Sequence, residues 1–341
     1  MPTNTSSMRA DELLVETIES LLEKECTPER IHAAEGSMDD SLWTLLEENG
    51  LTAVGRDEAS GGAGGTLHDL VAIVKAAGRH GAPVPIADTL IAATFLQGQA
   101  VPAGPLALGV VREGRETVRV PWAGVAGHVV AVCDAGVSLH KTADLVPTKK
   151  GINYAGEPWH DYASADLRAG AVAGFATAAD GLGAGAFGRA MLLAGALDQA
   201  VDLSIQYANE REQFGKAIGK FQIIQHYLVE MAGEAAATNA AVDNAADVAV
   251  TSSDRAEHRV VIAAAKAYAG RAVGTVTRLA HQIHGAIGYT DEHRLQYTTR
   301  RLWAWRDEFG SEAEWATVVG RSFCSSGPEV WPRVTTWPPA S

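Results

Sequence analysis

Cysteine is scarce in this chain. The only three, Cys26, Cys133 and Cys324, are odd in number and scattered among 341 residues, which suits neither a disulfide framework nor a metal site built on short ligand spacing. Long apolar runs are missing too. Asp11, Glu12, Glu16 and Glu19 interrupt the apolar residues near the N-terminus, and nowhere do about 18 apolar residues run without charge, so neither a signal peptide nor a membrane anchor is expected. Basic residues are outnumbered, 28 Lys and Arg against 41 Asp and Glu, for a net charge of −13. A face for nucleic acid or anionic lipid needs the opposite balance. A reducing cytoplasm is the expected home. What the chain has in quantity is apolar side chains, 47% of its residues, enough for one large core or a few smaller ones.

Their spacing divides the sequence into three parts. From residue 10 to about residue 98 the pattern is helical, with Leu13, Leu14, Thr17, Ile18, Leu21 and Leu22 on one face and Leu42, Trp43, Leu45 and Leu46 on another. Gly61-Gly-Ala-Gly-Gly65 breaks the chain. Thr66 and Asp69 then form a variant capping box for a helix through Val71, Ile73, Val74 and Ala77, which Pro83 and Pro85 are expected to end. Between Pro102 and about Leu167 the period changes to short β-branched runs: Val110-Val111, Val118-Arg-Val120, His128 to Cys133 and Gly136 to Leu139. From Gly181 long helices resume, the first tracing Phe187, Met191, Leu197 and Val201, the next Ile224, Leu228 and Met231, the third Val261, Ala265 and Ile283. Shorter helical pieces follow at Leu295 to Trp305 and Trp315 to Phe323. The Pro-rich end, Trp331 to Pro339, reads as an extended tail.

Two segments carry the chemistry. The string Tyr207-Ala-Asn-Glu-Arg-Glu-Gln-Phe-Gly-Lys-Ala-Ile-Gly-Lys-Phe-Gln222 and the string Gln282-Ile-His-Gly-Ala-Ile-Gly-Tyr-Thr290 resemble the R-x-Q-F-G…F-Q and Q-x-x-G-x-x-G-Y signatures of acyl-CoA dehydrogenases. These are flavoenzymes that desaturate acyl-CoA thioesters between the α and β carbons. The resemblance implies a mainly α fold with a β insert: an N-terminal helical domain (1–100), a reduced central β domain (101–180) and a C-terminal four-helix bundle (181–326), before the extended tail (327–341). It implies FAD as cofactor. By the same resemblance Arg211 clamps the diphosphate of an FAD held mainly by a neighbouring subunit, with Gln213, Phe214, Phe221 and Gln222 beside it. Gln282, Gly285 and Ala286 form the second contact segment, Ala286 standing where a second glycine is often found. An Arg suits a pyrophosphate because its planar fork gives paired hydrogen bonds. The plainer alternatives are a surface ion pair of Arg211 with Glu210 or Glu212, and a helix cap at Gly285.

Two family features are absent. Neither the Thr, Glu, Pro, Gly, Ser and Asp stretch that wraps the flavin ring nor the Asn-Gly-x-Lys-x-Trp strand occurs between residues 100 and 170, and Trp122 and Trp159 are read as packing residues. Phe309, before Gly310, falls where the family carries its catalytic Glu, and Thr238 and Asn239 fall where some members carry it on the second bundle helix. Abstracting a proton beside a thioester needs a carboxylate within hydrogen-bond reach, so no catalytic residue is expected in this chain. A displaced base at Glu308 is the alternative; Glu308 and Glu234 are read as solvated or ion-paired, and Glu230 lies on the same bundle helix as Glu234. The pattern resembles the short non-catalytic subunit of two-plus-two acyl-CoA dehydrogenases of actinobacterial steroid degradation. That implies a longer partner subunit supplying the Glu, an acyl-CoA substrate and an electron-transferring flavoprotein as acceptor. The rivals are a self-sufficient homotetramer and a flavin-free scaffold or acyl-CoA-binding subunit.

Overall fold

The computed structural model describes residues 9–56, 61–96, 100–172 and 176–324; the expected tail, 327–341, lies outside the described residues. Three helices open the chain, α1 (Glu12–Glu25), α2 (Pro28–Ala33) and α3 (Asp40–Glu48). α4 (Leu67–His80) starts on the Thr66–Asp69 capping box, as the spacing suggests. It ends earlier than expected: Gly81 takes the left-handed conformation (φ 64°) and terminates the helix, so Pro83 and Pro85 instead lead into α5 (Ile86–Ala93). Every residue of α5 is buried.

Six strands follow, β1 (Leu106–Val111), β2 (Thr117–Pro121), β3 (His128–Cys133), β4 (Gly136–Lys141), β5 (Lys149–Ile152) and β6 (Pro158–Ala163), with the short α6 (Ser164–Arg168) after them. They form two three-stranded sheets, ordered β1-β3-β4 and β2-β6-β5. β1 and β3 are parallel, and the remaining pairs are antiparallel. The alternation of side chains along a strand explains why His128 to Cys133 reads as an unbroken apolar run. Val130 and Val132 enter the core shared with the helices, whereas Val129, Ala131 and Cys133 enter a second core between the sheets.

The bundle begins with α7 (Ala178–Glu210), on a second capping box between Thr177 and Asp180. α8 (Gln222–Thr251) and α9 (Arg255–His284) pack against it and against each other, α10 (Leu295–Asp307) lies across α7, and α11 (Glu312–Cys324) is the fourth bundle helix, on α9. α4 meets α7 at two glycines. A Cβ on Gly195 would stand 1.9 Å from the Lys75 carbonyl oxygen, and one on Gly78 would stand 2.1 Å from that of Leu192. Because both obstacles are backbone, Gly195→Ala is expected to destabilise the chain by about 3 kcal/mol, read as a lower urea midpoint than Gly274→Ala, whose added Cβ meets nothing within 4 Å. Equal midpoints would remove the close approach as an explanation. Among the described residues no helix is long and apolar enough to cross a membrane, and no group of His, Cys, Asp and Glu is arranged to hold a metal ion.

Candidate functional site

The two signature segments, 60 or more residues apart in sequence, meet at one end of the bundle. Arg211 caps α7, its backbone N–H bonding to the Tyr207 carbonyl at 2.8 Å. The chain then reverses through a two-residue hairpin, β7 (Glu212–Gln213) against β8 (Lys216–Ala217), turning at Phe214 (φ 52°) and Gly215 (φ 77°). α9 arrives beside this hairpin and stops at Gly285 (φ 64°), where an added Cβ would meet nothing within 4 Å. Together they frame an open groove of about 370 Å³ lined by Arg211, Gln213, Phe214, Phe221, Gln282 and Gly285. Gln222 and Ala286 stand outside that lining.

The expected ion-pair alternative for Arg211 is not formed. Glu210 accepts from Gln206 at 2.8 Å, and the Arg211 guanidinium has no partner among the described residues. Phe214 is 91% exposed, which is unusual for a ring of that size and leaves it as uncovered aromatic surface; Phe221 packs edge-on to it at 6.1 Å and carries the Lys216 ammonium 4.4 Å from its own ring centroid. His284 forms part of the groove wall and stacks on Tyr207 at 4.5 Å. Burial pushes its pKa down to about 4, so the imidazole is neutral at pH 7.

A second, larger cavity, about 790 Å³, lies between the β2-β6-β5 sheet and the corner joining α10 to α11. This is where Phe309 sits, and the corner is rigidly held. Phe309 has a left-handed backbone (φ 54°), its carbonyl accepts from Trp315 Nε1 at 2.9 Å, and its ring fills the notch left by Gly185. The Lys266 ammonium, fully buried, donates to the Arg306 and Gly310 carbonyls. Glu308 points inward, accepting from Arg189 Nε at 2.6 Å and Asn153 Nδ2 at 3.0 Å. Arg189, 1% exposed, also forks onto Asp88 at 2.8 and 3.1 Å. Burial pushes the Asp88 carboxyl up against the pull of Arg189, and Asp88 and Glu308 together outweigh burial to hold the guanidinium protonated. Glu308 is therefore ion-paired with Arg189, one of the readings its sequence allowed, while still lining the cavity.

The remaining carboxylate candidates are elsewhere. Glu230 and Glu234 face Arg278 and Arg271 at 3.7 and 3.4 Å, Thr238 bonds to the Glu234 carbonyl, and Asn239 bonds to Asp198. None of them lines the cavity at the corner. Trp122 is buried, as expected of a packing residue. Trp159 departs from that expectation: it lines the cavity, with the Arg119 guanidinium 3.7 Å from its ring centroid. Sequence reasoning missed Asp88, Asn153, Arg189 and Lys266. The available signal was Arg189 itself, a lone cation inside the buried run Phe187 to Leu193.

Lys266 makes the corner sensitive to pH. Burial pushes its pKa down from 10.5 to about 8, so between those values the unfolded chain binds more protons than the folded one and stability rises with pH. Thermal unfolding of the native chain relative to Lys266→Met is expected to show that rise across the window. A constant offset between the two would contradict it.

Comparison with known proteins bears on the whole chain. Family models for the acyl-CoA dehydrogenase N-terminal domain and C-terminal domain match residues 9–98 and 173–314. Acyl-CoA dehydrogenase IpdE2 of Mycolicibacterium smegmatis is 31% identical over 300 residues, covering 85% of this chain and 91% of that protein. The chain belongs to the acyl-CoA dehydrogenase family. The IpdE2 of Mycobacterium tuberculosis is 29% identical over 307 residues, covering 85% of this chain and 90% of that one. Solved acyl-CoA dehydrogenase structures share the fold. The ChsE4–ChsE5 complex from Mycobacterium tuberculosis superposes with a TM-score of 0.79 at 19% identity, over 95% of this chain and 99% of its own. The steroid acyl-CoA dehydrogenase Tcur3481–Tcur3483 gives 0.77 at 20% identity, over 92% of this chain and 97% of its own. Members of the acyl-CoA dehydrogenase family are FAD-binding oxidoreductases.

Proposed function

We propose that this chain is the non-catalytic subunit of a hetero-oligomeric acyl-CoA dehydrogenase, holding the distal end of an FAD whose flavin ring and catalytic Glu belong to a longer partner. One observation carries the reading. The unpaired Arg211 and the open Gly285 backbone share a groove with the exposed ring of Phe214, while the corner that carries the family's base offers Phe309 and an ion-paired Glu308. A fork of N–H donors, a glycine that admits close approach and flat apolar surface match the needs of a pyrophosphate and an adenine.

The corner cavity is a poor frame for a flavin ring. Arg119 already covers the face of Trp159, and Asp307, Glu308 and Glu314 line the opposite side. When bound, the flavin supplies the acceptor for a hydride leaving the β carbon of the thioester, and an electron-transferring flavoprotein is the proposed onward acceptor. Arg211 holds the diphosphate, Phe214 and Phe221 exclude water from it, and Gln213 and Gln282 supply amide hydrogen bonds. Gln222 and Ala286 support the two segments from outside the groove. The partner's Glu removes the α proton.

The proposed substrate is a bulky polycyclic acyl-CoA thioester of the steroid class for which Tcur3481–Tcur3483 is named. Likeness to that protein supports it, as does a division of labour that leaves half the corners without a base. Turnover of straight-chain acyl-CoAs in preference to steroid thioesters by the purified complex would sink this substrate assignment.

Co-expression with a longer acyl-CoA dehydrogenase subunit, followed by native mass and flavin count, tests the arrangement. One FAD per pair of unlike chains, in a two-plus-two assembly, and none on the lone chain, is expected. A lone chain that forms a yellow homotetramer with one FAD each would overturn it. A flavinated pair whose FAD content is indifferent to this chain's groove would favour the scaffold reading.

A further inference from the structure

The corner cavity, about 790 Å³, lies within the roughly 300–1,000 Å³ of small-molecule sites, and its sheet wall carries a flat cationic platform. β6 pairs with β5 so that Trp159 stands opposite Gly151. The missing side chain lets the indole lie down on β5, since a Cβ on Gly151 would stand 2.3 Å from the ring. Arg119 of β2 lays its guanidinium over that indole, 3.7 Å from a ring centroid, a separation that suits a flat stack. Asp161 holds its edge, accepting from Nε at 3.0 Å and Nη2 at 3.3 Å. With one face on Trp159 and an edge on Asp161, the Arg119 side chain is still 55% exposed, so the face turned away from the indole is the one left open to the cavity.

The rest of the lining supplies what a nucleoside phosphate needs. Arg115 is exposed and has no side-chain partner among the described residues, and Arg112 reaches Glu314 only at 3.7 Å. Both come from the connection between β1 and β2, and their planar forks suit phosphate oxygens. On the opposite side Asp307 also lacks a side-chain partner among the described residues. A carboxylate only accepts, so it suits the exocyclic amine of an adenine and opposes the carbonyl oxygens of a flavin.

We propose that the corner cavity binds an adenine nucleotide, its base stacked on Arg119 with the amine toward Asp307 and its phosphates on Arg112 and Arg115. Free ADP and the nucleotide end of coenzyme A present this same chemistry. The cavity shares no lining residue with the flavin groove, so the inference stands whether or not that groove holds FAD.

Calorimetric titration of the full chain with ADP, coenzyme A, UDP and inorganic phosphate tests it. ADP is expected to bind, and UDP, whose ring carries no amine, and inorganic phosphate should each bind about ten-fold more weakly or worse. Coenzyme A binding about ten-fold tighter than ADP would identify the thioester carrier as the ligand, and any smaller preference the free nucleotide. Arg119→Ala should weaken ADP about ten-fold by removing the stack. Arg115→Ala should weaken it several-fold, and because Arg115 is exposed and unpaired its loss leaves the fold intact. Arg211→Ala removes any ADP held in the flavin groove and should leave the corner's equivalent in place. No ADP binding, binding that Arg119→Ala and Arg115→Ala both leave intact, or binding that disappears with Arg211→Ala would overturn the proposal.

Discussion

In the assembled complex, Arg211→Ala is expected to weaken FAD binding by about ten- to a hundred-fold, since each charge-assisted hydrogen bond contributes about 1.5–3 kcal/mol. The loss should fall on the cofactor and not on the fold, because Arg211 is exposed and makes no side-chain contact that the chain would miss. Arg211→Lys keeps the charge without the planar fork and should recover part of the affinity. Titration of the deflavinated complex with FAD, followed by flavin fluorescence, measures all three. Unchanged affinity in Arg211→Ala would mean that the groove is a relic and that this chain serves as a scaffold. Phe214→Ala sharpens the comparison. With a ring 91% exposed, its removal should scarcely alter the lone chain's unfolding while weakening both assembly and flavin retention.

The largest expected effect on stability is that of Arg189→Met. It strands Asp88 and Glu308 together in the interior, and removing one member of a buried ion pair costs about 3–5 kcal/mol. Adding Asp88→Asn and Glu308→Gln in the same chain should recover much of that loss, because the penalty belongs to the uncompensated charges. The pH dependence has a definite sign. Without Arg189 the buried Asp88 titrates above its unfolded value, so the folded chain binds more protons than the unfolded one and stability falls as pH rises through the carboxylate range. Urea midpoints at several pH values would show it. A loss that neither deepens with pH nor yields to the neutral substitutions would mean that Arg189 acts through its volume alone.

Sequence legibility followed the range of the interactions. The Thr66–Asp69 cap, a contact three residues long, was readable; the equivalent Thr177–Asp180 cap was passed over because the periodicity drew attention to Gly181. α5 offered no amphipathic stripe to mark its ends because it is buried on every side. β5 and β6 were missed because Lys149 and Lys150 sit on the sheet exterior and Pro158 opens β6, which masks a strand pattern. Arg211 and Gln282 were individually recognisable, and their meeting in one groove came from the lengths of α8 and α9, each 30 residues. Glu308 was ambiguous between solvent and ion pair because its partner lies 119 residues away. No local pattern encodes a contact of that separation.

The two faces of β3 have a consequence for how the molecule comes apart. Val130 and Val132 belong to the core of the α-helices, and Val129, Ala131 and Cys133 to the core between the sheets. Detaching the helices would strip one side of this strand and leave its neighbours paired to a half-solvated template. The amides of β3 should therefore exchange with solvent only in global opening, at the same free energy as those of α7. Helices and sheets melt as a single cooperative unit, with β3 as the seam between them.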